Sequence, residues 1–260
     1  MLASIKRLFG ARAEALPSDG LVAWAQARGH ALKHVREGDG LVVEGNLEGH
    51  VWRLEWGVPQ RSYILDRELR LRMELGLPLA LQLLLTTRTL AEELEQAAYA
   101  MFTDGMQTRL DSGMPEEMRW LSMFDKVSVP ALKGLRSRFH ATSSMPELLN
   151  AWIAGQLAQQ LEATSTPWLG AEDPFVLMTL RGRVYLRMEA PCPQAAMLDG
   201  VLALFDTATR RVRTVVEEHG AKHGWPATQS ASLQSHYPPD AADDEPHPFD
   251  PSGGHHRPPA

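Results

Sequence analysis

Between residues 41 and 77 the apolar positions of the chain recur with a period of two, over a longer stretch than anywhere else. In Val51-Trp52-Arg53-Leu54-Glu55-Trp56 the side chains of Trp52, Leu54 and Trp56 share one face, with Arg53 and Glu55 on the other. From Glu68 to Leu75 the alternation is stricter, with Leu69, Leu71, Met73 and Leu75 interleaved with Glu68, Arg70, Arg72 and Glu74. Successive strand side chains point to opposite faces, so the pattern predicts an antiparallel sheet with one dry and one charged side. Strands are expected over residues 30–36, 41–47, 50–57 and 67–75, with 79–85 as a fifth. Turn residues occupy the joints: Glu37-Gly38-Asp39-Gly40, Glu48-Gly49 and Gly57-Val58-Pro59. The loop over residues 57–62 is expected to be exposed, which makes Gln60, Arg61 and Tyr63 candidates for outside contact.

The period then changes to that of a helix. Before the sheet, Ser18 or Asp19 can cap a helix over residues 20–28, with Leu21, Trp24 and Ala25 as its apolar face and Gly29 as its stop. After it, Thr89-Leu90-Ala91-Glu92 has the spacing of a capping box, followed by Leu90, Leu94, Ala97, Ala98, Met101 and Phe102 at helical intervals. Pro115 opens a shorter helix with Met118, Leu121 and Met123 inward, Pro130 opens another turn, and residues 138–142 read as a short strand. A second capping box, Ser144 to Glu147, precedes the stripe Leu148, Leu149, Trp152, Ile153, Leu157 and Leu161, which predicts one helix to about residue 163. A hairpin follows, with strands over 175–180 and 183–189 around Arg181-Gly182. A long helix then runs over residues 194–218, with Leu198, Val201, Leu202, Phe205 and Val212 inward and His219-Gly220 as its end. The fold class is therefore α+β: an N-terminal antiparallel β-meander followed by helices with a second β-hairpin.

Four regions result. Residues 1–16 form a short basic amphipathic segment, 17–88 the sheet, and 89–225 a mainly helical part packed with the sheet as one globular unit. Residues 226–260 hold eight prolines with Asp, Ser, Gly and His, and too few aliphatics to offset the entropy of ordering, so a disordered tail is expected. In the first segment Leu2, Ile5, Leu8 and Phe9 take helical spacing beside Lys6 and Arg7. Such a helix packs on the protein's own core, the favoured reading, or makes weak peripheral contact with a membrane or partner. Leu71-Arg72-Met73-Glu74 recurs as Leu186-Arg187-Met188-Glu189, but the flanks do not align, and chance is favoured over duplication.

Charge and composition narrow the class of function. Of the net charge of -6, the tail carries -4, five acids against Arg257 alone, so the body is mildly acidic and mixed. It lacks the basic stripe expected of a nucleic-acid binder. Cys192 is the only cysteine, so an intrachain disulfide is impossible, and with neither a signal peptide nor a membrane-length apolar run in view a cytoplasmic protein is expected.

Candidate chemistry is sparse. Gly38, Gly40, Gly45 and Gly49 are spaced as hairpin turns and do not lead into a helix as a phosphate-binding loop does. His30 and His34 stand four apart with no acidic third ligand nearby; His236, His247, His255 and His256 fall in the tail; no metal and no cofactor are expected. Cys192, between Pro191 and Pro193, has no basic neighbour to lower its pKa and reads as a buried or half-buried thiol. Glu116 and Glu117 suit the first turn of a helix. The charged side of the sheet offers Arg53, Arg70 and Arg72, which either sit in cross-strand ion pairs, the favoured reading, or, with Arg61 of the exposed loop, grip a carboxylate or phosphate. The expected function is thus a non-catalytic binding or adaptor protein with a protein partner. The alternative is a sensor or enzyme for a small anion, with its pocket between sheet and helices.

Overall fold

The structure is a computed structural model and describes residues 18–35, 40–103, 114–163 and 168–225. The basic segment with Leu2, Ile5, Lys6, Arg7, Leu8 and Phe9, and the tail from residue 226, lie outside the described residues. Eight antiparallel strands form one sheet: β1 (Ala31–His34), β2 (Leu41–Leu47), β3 (His50–Gly57), β4 (Glu68–Glu74), β5 (Leu83–Thr87), β6 (Phe139–Ser143), β7 (Phe175–Leu180) and β8 (Arg183–Glu189). Their order is β1-β2-β3-β4-β8-β7-β5-β6. The N-terminal meander and the later hairpin thus join edge to edge, β4 against β8, and the architecture is the expected α+β. At that seam Leu71 pairs with Leu186. The two Leu-Arg-Met-Glu segments are therefore neighbours, related by the local two-fold of an antiparallel pair.

Helices cover the two faces unequally. On one face α1 (Asp19–Ala27), α4 (Pro146–Ile153), α5 (Gln156–Ala163) and α6 (Ala195–His223) enclose the main core, which includes Trp24, Trp52, Trp152, Phe175 and Phe205. On the other face α2 (Arg88–Thr103) and α3 (Glu116–Met123) cover the β5–β7 end, where Leu84, Val176 and Met178 meet Leu90, Leu94, Met118 and Trp120. This asymmetry explains two kinds of strand sequence. In β5 all five residues are buried, and in β7 five of six, because both faces are covered; they read as uncharged runs of apolar residues and threonine without alternation. β4 and β8 keep one charged side and alternate.

Two hairpin turns need left-handed backbone: Glu48 and Gly49 (φ 51° and 85°) between β2 and β3, and Arg181 and Gly182 (φ 47° and 84°) between β7 and β8. Positive φ at both central residues matches the strand twist, and glycine at the second position removes most of the strain.

Several local expectations are corrected. The stripe from Leu148 to Leu161 spans two helices, because Ala154 is extended (ψ 156°) and Gly155 is left-handed (φ 71°); the apolar spacing passes across the break because both helices face the same core. β5 begins at Leu83, after a turn beyond Pro78, and runs into α2 without a loop, so Thr89 is inside the helix and its hydroxyl donates to Glu172 (2.9 Å). Ser143, not Ser144, supports the start of α4, its Oγ accepting from the Met145 N–H (2.8 Å). α6 continues through Gly220 to His223, and Gly224 (φ 68°) ends it; Leu204 is buried where Leu202 was expected. Met123 is exposed, and Trp120 takes the inner position on α3. Among the described residues no helix is long and apolar enough to cross a membrane.

Candidate functional site

The uncovered part of the second face carries the arginines that the sequence singled out. Register places Arg53 opposite Arg72 and Glu55 opposite Arg70, so like and unlike charges are forced together. The carboxylate of Glu55 resolves the conflict: Oε1 accepts from Arg53 Nε (2.7 Å) and lies 3.8 Å from Arg72 Nη2, and Oε2 accepts from Arg70 Nη2 (2.7 Å). Glu44 adds a further partner for Arg53 (3.4 Å) and for Lys33 (2.9 Å). Glu68, fully buried, accepts from Arg187 Nη1 (2.6 Å), Arg70 Nη1 (3.4 Å) and the Gln60 N–H (2.6 Å). Burial raises the pKa of Glu55, but Arg70, Arg53 and Arg72 outweigh it and hold the carboxyl below its usual value. Arg53, Arg70 and Arg72 thus come together, and each already has a carboxylate within 4 Å.

Arg61 sits apart. The loop between β3 and β4 folds back over the end of β4 and β8, where the Leu65 N–H donates to Glu189 (2.8 Å) and Ile64 is buried. Arg61 Nε (2.8 Å) and the Tyr63 hydroxyl (2.5 Å) both donate to Oε1 of Glu117 on α3. Glu117 is 1% exposed. Its burial raises the pKa, and Arg61 with the Tyr63 hydrogen bond brings it below the ordinary value, while burial and that carboxylate push Tyr63 well up. Gln60 and Ser62 remain exposed, but Arg61 and Tyr63 fasten the loop to the chain's own third helix. A hydrogen bond to a buried charge is worth about 1.5 kcal/mol or somewhat more, so Tyr63→Phe is expected to lower unfolding free energy by that amount in urea titration. A cost near zero would mean that Glu117 is as well solvated without the hydroxyl.

A cavity of about 290 Å³ lies at the opposite end of the sheet, beside the edge strand β6. The segment from Lys126 covers part of that edge, with Lys126 bridged to Thr142 and the Val127 N–H donating to the Ala141 carbonyl (2.8 Å). It then turns at Pro130 into a 3₁₀ helix, Pro130–Leu135. Val127, Val129, Leu132, Phe139 and Ala141 supply apolar walls; Arg88, Lys126, Arg136 and Ser128 supply the polar ones, and among the described residues no acid lines the cavity. Arg88 is committed: its guanidinium donates through Nε (2.9 Å) and Nη2 to the Arg136 carbonyl and reaches Glu92 at 3.8 Å. The heads of Lys126 and Arg136 have neither hydrogen bond nor ion pair among the described residues. Next to them on β6, His140 is pulled down to a pKa of about 4 by burial and by the charges of Lys126 and Arg88.

The remaining candidates separate. His30 packs tilted against Trp24 and edge-on to Trp52 (centroids 5.2 and 4.9 Å), whereas His34 is exposed on β1. Among the described residues no group of three or more His, Cys, Asp or Glu side chains is placed to hold a metal. Cys192 is exposed, contrary to the expected burial, because the bend between β8 and α6 turns it outward. Sequence reading missed Lys126 and Arg136, since residues 88, 126 and 136 converge only through the fold. The one local signal was Val127 and Val129 alternating around Ser128 before Pro130. No family model, curated protein or solved structure matches the chain.

Proposed function

We propose that the chain is a non-catalytic binding protein that takes a small organic anion in the cavity beside β6. The observation that carries this reading is the contrast between two sets of cations. The sheet-face arginines are neutralised by interleaved glutamates, whereas the exposed heads of Lys126 and Arg136 border a cavity with no acid in its described lining and make no ion pair within 4 Å among the described residues. Cations beside low-dielectric walls attract an anion more strongly than cations in open water. The exposed, single Cys192 supports a reducing, cytoplasmic setting. Selective binding to the folded state raises stability by about 2.7 kcal/mol at a hundredfold excess over Kd, or roughly 5–10 °C in Tm for a chain of this size. A thermal-shift panel of organic carboxylates and phosphates is expected to give such a rise, and Arg136→Gln with Lys126→Gln is expected to remove it. A panel that leaves Tm unmoved would discard the reading.

A second reading is supported by the side chains of Arg53 and Arg72, which remain 39% and 34% exposed on the sheet face. It makes the protein an adaptor that docks an acidic protein partner there. Charge reversal at Arg53 and Arg72 then abolishes partner capture and leaves anion binding unchanged.

A further inference from the structure

We infer that the ligand of the cavity beside β6 is an amphiphile: a monovalent organic acid whose apolar body has about ten heavy atoms. This rests on the anion reading above and adds the size and chemistry of the rest of the molecule. The volume of about 290 Å³ corresponds to roughly ten groups the size of a water molecule, at about 30 Å³ each. A bare phosphate or acetate would leave most of that space to water against Val127, Val129, Leu132, Phe139 and Ala141, none of which can hydrogen-bond through its side chain. A neutral hydrocarbon would draw nothing from the charges of Lys126 and Arg136, whose exposed heads stand at the rim. A molecule with an acidic head and an apolar body satisfies both, its head between Lys126, Arg136 and the Ser128 hydroxyl, its body against Leu132 and Phe139. A strongly polyanionic ligand is poorly matched, because Arg88, the third cation, already has the Glu92 carboxylate at 3.8 Å and spends its Nε and Nη2 donors on the Arg136 carbonyl.

The test is a homologous series of straight-chain carboxylates from acetate to dodecanoate, measured by calorimetry on the full chain at fixed ionic strength and below the micelle range. Kd is expected to fall about fourfold per added methylene and to level off once roughly ten heavy atoms fill the cavity. Alcohols of matched length should bind at least tenfold more weakly. Arg136→Gln should weaken every acid by one common factor and leave the slope with chain length unchanged. Leu132→Asn should flatten the slope while acetate keeps its affinity. Inorganic phosphate, acetate and octanoate binding equally well would keep the anion site and overturn the amphiphile. Binding of none of them, with the ligand-free protein folded by circular dichroism, would overturn both.

Discussion

Glu68→Ala is expected to lower the unfolding free energy by about 3–5 kcal/mol, a Tm loss of roughly 6–20 °C. The carboxylate is fully buried, and it alone answers three donors: Arg187 Nη1 at 2.6 Å, Arg70 Nη1 at 3.4 Å and the Gln60 N–H at 2.6 Å. Arg70 keeps Glu55 at 2.7 Å after the change, but Arg187, whose side chain is 11% exposed, loses its ion-pair partner. Most of the cost is therefore the uncompensated guanidinium, not the loss of an attraction. The double variant Glu68→Leu with Arg187→Met, which removes both charges, should be less damaging than Glu68→Ala alone. Urea unfolding of the three proteins checks this. A single variant within about 1 kcal/mol of the parent would show that water reaches the pair and that the face is a solvated one.

The same residues show how far the sequence could be read. Strict alternation in β3, β4 and β8 gave their faces and nearly their ends, because one side is dry and the other charged, and a one-residue slip would bury arginine. The hairpin around Arg181 and Gly182 was legible for the same reason. What failed were the features set by neighbours distant in sequence. Gly155 breaks a helix whose apolar stripe continues on its far side. Thr89 could not cap α2, since β5 runs directly into that helix and Glu172 takes its hydroxyl. Nothing in the order of residues shows that β4 pairs with β8.

The candidate site was legible only as far as composition allows. Arginines facing away from a dry sheet side can be named from spacing, and Arg53, Arg70 and Arg72 do meet. Whether they are available depends on the register, which sets Glu55 between them, and on the loop that carries Gln60 to Glu68. Arg61, a candidate for outside contact from its place in a turn-rich loop, reaches Glu117, 56 residues away. Lys126 and Arg136 show the converse. Neither has a distinguishing neighbourhood in the chain, and their importance rests on the cavity that the fold sets beside them and on the absence of an ion pair within 4 Å among the described residues.

Acid should expose this part of the molecule first. His140 is 6% exposed, lies 3.9 Å through Nε2 from Glu95, and has its pKa pulled from 6.5 to about 4 by burial, Lys126 and Arg88. Above pH 6.5 the imidazole is neutral in both the folded and unfolded chain, so it adds no pH dependence. Below that, the unfolded chain takes up a proton that the native chain refuses until about pH 4, and stability falls across this window by about 3 kcal/mol. Measured by urea unfolding at several pH values, the stability difference between parent and His140→Gln should shrink by that amount from pH 7 to pH 4, other carboxylates cancelling. A difference that stays constant would mean that His140 is not held neutral. Glu95, whose own pKa is raised by burial and by Glu92 against the pull of Lys126, stands 3.9 Å from the ring and can receive it when it carries a proton. Glu95→Gln should therefore steepen the loss. An anion seated on Lys126 acts in the opposite sense: it cancels part of the field that keeps His140 deprotonated, so a bound carboxylate should raise the imidazole pKa and move the acid window upward in pH. Following the His140 ring resonances through a pH titration, with and without octanoate, reads that shift directly and joins the stability of β6 to the occupancy of the cavity beside it.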